Sequence, residues 1–132
     1  MIFLNIKEDP VVLIDRDLVM NYKHEGDLYL VSIKHNLTKQ LVAYMVYWYL
    51  QQVNNAFYKI IKGLVKQEYT DLNTLRNDYS EFIKSCNTFI KNCEGMVSDN
   101  VFDSVSKSLD KLQLSMQKLL YIAENICSTE EE

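Results

Sequence analysis

Two histidines (His24, His35), three cysteines (Cys86, Cys93, Cys127) and a knot of acids at Asp15, Asp17, Glu25 and Asp27 are the side chains of this chain that could do chemistry. Metal or acid–base catalysis needs such groups at spacings that bring them together. Neither histidine belongs to an H-E-x-x-H or E-x-x-H pattern, and G-x-S-x-G, G-x-G-x-x-G and phosphate-loop motifs are absent. Three scattered glycines cannot build a phosphate cradle. On a strand, Asp15 and Asp17 would share one face and could hold a hard cation such as Mg²⁺. The plainer reading makes them solvated acids beside a turn. Cys86 and Cys93 stand seven apart, about 10 Å along a helix and beyond disulfide reach. They are expected as buried, reduced thiols, which fits a cytoplasmic protein. No metal, no cofactor and no enzymatic activity is expected.

Charge is uneven along the chain. Residues 1–27 carry −3, residues 28–67 carry +5 with no acid at all, and residues 68–132 carry −6. Lys59, Lys62 and Lys66 share one helical face, as do Lys107, Lys111 and Lys118. Such stripes are the solvated faces of amphipathic helices, or, if aligned, a groove for a phosphate backbone. With two arginines against twelve lysines, base-specific readout is not expected; any nucleic-acid binding would be salt-sensitive and blind to sequence. The excess of Lys, Asn, Ile and Tyr also points to an A/T-rich genome, such as that of a virus or phage. Tyr44, Tyr47, Trp48 and Tyr49 spread round more than one helix face. Some of them must stay near the surface, where amphipathic rings suit a partner interface.

These residues need elements to position them. Leu72, Leu75, Tyr79, Phe82, Cys86, Phe89 and Cys93 alternate at three and four residues, the seam of a packed helix over 71–94. Thr70 or Asp71 caps it, and Gly95 stops it. A second seam of Phe102, Val105, Leu109, Leu112, Met116, Leu119, Ala123 and Ile126 predicts a helix over 99–127, capped by Ser98 or Asp99. The short join forces an antiparallel hairpin. Ahead of it, a long helix is predicted over 37–69 with Asn36 as cap. One of its stripes is Leu41, Met45 and Trp48; the other is Val42, Val46, Tyr49, Val53, Phe57, Ile60 and Leu64. Two apolar stripes call for cover on two sides, by the N-terminal segment or by a second copy. The uncharged run from Leu41 to Leu50 is too short to span a membrane, which takes about 20 apolar residues.

Residues 1–36 offer "IFLNI", "VVLID" and two apolar runs around Glu25-Gly26-Asp27, the pattern of a β-hairpin over 18–33. The competing reading begins the long helix at Asp27, because Leu30, Ile33, Leu37 and Leu41 also keep helical spacing. Residues 128–132 are expected as a frayed acidic tail. The predicted fold is mainly α, one domain: an antiparallel three-helix bundle with a small N-terminal β-hairpin or irregular segment. The function expected of it is non-enzymatic: docking on a protein partner or on itself, most simply as a dimer. The alternative is an accessory nucleic-acid-binding subunit of a ribonucleoprotein complex using the lysine stripes.

Overall fold

The computed structural model describes the backbone of residues 12–131 and the side chains of residues 12–126. Four helices make up nearly all of it: α1 (Arg16–Thr38), α2 (Tyr44–Val65), α3 (Leu72–Cys93) and α4 (Asp99–Glu131). Each packs on its neighbours in the chain, and α4 closes on α1, so the four surround one hydrophobic core. Asp27 meets Tyr58, Lys59 meets Asp78, Arg76 meets Glu124 and Ser32 meets Ser108. Successive helices therefore run up and down, as their short connections require.

The two C-terminal seams lie where their spacing puts them. Leu75, Phe82, Cys86, Phe89 and Cys93 on α3 are buried, as are Val105, Leu109, Leu112, Met116, Leu119 and Ala123 on α4. Asp71 caps α3, its Oδ1 accepting a hydrogen bond from the Thr74 amide at 2.8 Å. Gly95 follows α3 at φ 80°, the left-handed conformation that ends a helix most cheaply with glycine. The α4 backbone stays helical to Glu131, past the start of the tail expected to fray. No glycine or proline follows Gly95 to stop it, and glutamate is a good helix former.

The N-terminal third differs from expectation, and the described residues form four helices where three were predicted for the bundle. Residues 18–33 form no β-hairpin: they lie inside α1, and no strand occurs among the described residues. The run "IFLNI" lies outside the described residues, and residues 12–15 of "VVLID" lead into α1 without forming a strand. Gly26, taken as the turn, is buried in mid-helix. A glycine there costs about 1 kcal/mol against alanine, and close packing explains its presence. A Cβ at this position would lie 2.6 Å from Phe57 Cε1 and 3.2 Å from Leu112 Cδ1. The missing side chain is the space that the Phe57 ring fills.

The long helix predicted over 37–69 is shorter at both ends: its first two residues close α1, and α2 covers only Tyr44–Val65. Helix α1 begins well before Asp27 and ends at Thr38, and α2 begins at Tyr44. Asn36 caps nothing; its Nδ2 donates back to the Ser32 carbonyl at 3.0 Å within α1. Gln40 leaves the helix to bridge the two connections at one end of the bundle. Its Nε2 donates to Ser98 Oγ at 2.7 Å, and its Oε1 accepts from the Ser98 amide at 2.9 Å. At the opposite end Tyr69 closes the α2–α3 connection over Gly63, where a Cβ would meet the ring carbon Cζ at 3.0 Å. The Tyr69 hydroxyl donates to Asp78 Oδ2 at 2.6 Å, and Val12 N–H donates to the Tyr69 carbonyl at 3.3 Å. Burial first, then the Asp78 carboxylate, pushes the Tyr69 phenol far above its ordinary pKa.

Candidate functional site

Helix α2 shows how its two apolar stripes divide. Val46, Leu50, Val53, Phe57, Ile60 and Leu64 are buried against the other helices. The stripe of Leu41, Met45 and Trp48 is left outside, although α2 has a neighbour on each flank. Leu41, just ahead of the helix, is 105% exposed; Tyr44 is 93%, Met45 48% and Trp48 57% exposed. Positions 44, 45 and 48 fall on one face because helical neighbours recur at three and four residues.

Of the four rings singled out by sequence, Tyr44 and Trp48 therefore stand on the surface. Tyr47 and Tyr49 are half-buried and pack against the core. The Trp48 and Tyr49 rings meet edge to face, with centroids 5.2 Å apart and planes at 79°, a favourable aromatic geometry. A shallow groove beside them runs to α3, lined by Trp48, Tyr49, Gln52, Glu81, Lys84 and Thr88. Leu41 and Met45 complete the surface. Their spacing to Trp48 was legible in the sequence; which of the two stripes would be covered was not.

The lysine stripes do not line a common groove. Helices α2 and α4 occupy opposite corners of the bundle, so Lys59, Lys62 and Lys66 sit diagonally from Lys107, Lys111 and Lys118. All six are exposed. Lys59 pairs with Asp78 at 3.3 Å and Lys107 with Asp103 at 3.1 Å. Lys62 and Lys66 lie at the C-terminus of α2, where cations offset the helix dipole.

The acidic knot is split between structural bonds. Asp27 accepts from Lys23 Nζ at 2.7 Å and from the Tyr58 hydroxyl, which ties α1 to α2. Burial pushes the Asp27 carboxyl up, but those two hydrogen bonds outweigh it and hold it below the usual carboxylate range. The same contact, after burial, raises the Tyr58 phenol to about 12. Glu25 accepts from the Tyr29 hydroxyl at 2.8 Å. Cys86 and Cys93 are free and fully buried. Burial lifts the Cys86 thiol to about 12 and raises Cys93 as well, so neither forms a thiolate nucleophile near neutral pH. Among the described residues, no three His, Cys, Asp or Glu side chains converge as a metal site, and no helix is long and apolar enough to cross a membrane. No family model, curated protein or solved structure matches this chain.

Proposed function

We propose that this chain is a small helical docking or assembly module, without chemistry of its own, that works by binding a protein through the aromatic end of α2. One observation carries the reading: Leu41, Tyr44, Met45 and Trp48 form a contiguous apolar surface left uncovered by the bundle. Large aromatic and Met side chains are the types enriched at protein interfaces. The apolar area they leave exposed adds nothing to the fold, so another surface is its natural beneficiary. Buried reduced thiols suit a cytoplasmic setting, and the A/T-rich codon usage implied by composition suits a virus- or phage-encoded protein. The nucleic-acid reading draws less support, because the two main lysine stripes sit at opposite corners.

The test is substitution on the surface. Leu41→Lys combined with Trp48→Lys is expected to cost about 0.5–1.5 kcal/mol of folding stability, chiefly the edge-to-face contact of Trp48 with Tyr49. The same double variant should lose the protein that co-purifies with the untagged chain from its host. A stability loss above about 2 kcal/mol would place these residues in a packed core and end the docking reading.

A further inference from the structure

We infer that the partner at this surface is a second copy of the same chain, the two α2 helices crossing antiparallel about a two-fold axis near Tyr44 and Met45; this rests on the docking reading above. Area is the first argument. Taking about 200 Å² for a whole aromatic side chain, the four residues expose on the order of 500 Å², near the upper end for a lone monomer's largest patch. Two such patches face to face bury on the order of 1,000 Å², where specific interfaces begin. An isologous contact obtains that doubling from one surface.

Charge is the second. From Gln40 to Tyr58 no residue is charged, so the α2 faces of two copies meet without like-charge repulsion, and the one acid and one base beside them, Glu81 and Lys84, leave no net charge to hold a strongly charged partner. The lysines then set direction. A parallel pairing would lay Lys59, Lys62 and Lys66 against their own copies. An antiparallel pairing sends the two lysine ends apart and puts Leu41 of each copy over Trp48 of the other. A bilayer is the poorer occupant, because Glu94 and Asp99 balance Lys39 and Lys91 at this end of the bundle and leave no basic cluster to hold anionic lipid.

Trp48 is the chain's one tryptophan, so its fluorescence reports directly on the contact. Sedimentation of the full untagged chain at rising concentration is expected to approach twice the 15.5 kDa chain mass. Trp48 emission should move to shorter wavelength over the same concentrations. Leu41→Lys, and separately Tyr44→Lys, should abolish both changes while helical content holds. In a Leu41→Cys, Trp48→Cys variant, oxidation should link position 41 of one copy to position 48 of the other; 41–41 and 48–48 links would overturn the antiparallel setting. A mass of 15.5 kDa at every concentration overturns the dimer. If Trp48 emission then shifts on phosphatidylcholine vesicles, the patch serves a bilayer. If Leu41→Lys also destabilises the fold like a core substitution, the docking reading falls with it.

Discussion

Phe57→Ala is expected to destabilise the bundle by about 3–5 kcal/mol, the range for deleting a buried phenylalanine. Phe57 is wholly buried at the centre of α2, against Gly26 of α1 and edge-on to Tyr58 at 5.1 Å. A domain of this size is typically stable by about 5–15 kcal/mol, so the loss would be a large share. Urea unfolding should show a lowered midpoint at unchanged slope; a loss below about 1 kcal/mol would mean that the ring is not central. The same site sets up a reversal of sign. Gly26→Ala gains about 1 kcal/mol of helix propensity but forces a Cβ into the Phe57 ring, and overpacking of about 1–3 kcal/mol outweighs it. In a Phe57→Leu background the colliding ring atoms are gone, so Gly26→Ala should become neutral or stabilising. Additive effects across that cycle would show that the two positions do not touch.

Leu112→Ala is expected to cost about 2–5 kcal/mol. Leu112 is 0% exposed in the middle of α4, and its Cδ1 lies beside the same glycine gap. Alanine there would leave a cavity bordered by the Phe57 side of the core, which a packed interior fills only in part. Thermal and urea unfolding should agree on the loss. A change under about 1 kcal/mol would displace Leu112 from the seam.

Helices α3 and α4 were legible in the sequence because periodicity, caps and a terminal glycine all agreed there. Helix α1 was not, and one residue explains why. Its buried positions Val19, Gly26, Leu30, Ile33 and Leu37 keep heptad-like spacing, but one of the seam positions is a glycine. Local rules treat glycine as punctuation; here it is the counterpart of a ring brought in from a different helix, which no local pattern can display. The break at 39–43 contains neither glycine nor proline. Its trace is a change of phase: Leu37 and Val46, the last and first buried residues of the flanking helices, are nine apart, a spacing that no succession of threes and fours in alternation produces. The candidate surface was half legible. Tyr44 and Trp48 were singled out and are exposed, but Tyr47 and Tyr49 turn toward the core, because which helices flank α2 is set by the packing of distant segments, one of which was read as a β-hairpin.

The closure of α4 on α1 has a consequence for the order of assembly. The contact between Ser32 and Ser108 joins residues 76 apart in the chain, while Tyr69 and Asp78 are only nine apart. By the logarithmic growth of loop entropy, the distant contact costs about 2 kcal/mol more to close. That deficit falls on one of the two most extensively packed helix pairs of the bundle, so its reward comes only after the chain has been gathered. The α2–α3 hairpin, with its short connection and the Tyr69 clasp, can organise first and offer α1 a surface to land on. The local contacts between α2 and α3 are therefore expected to form ahead of the closure between the two ends of the chain, an order that substitutions at Tyr69 and at Ser108 would separate by their effects on folding against unfolding rates.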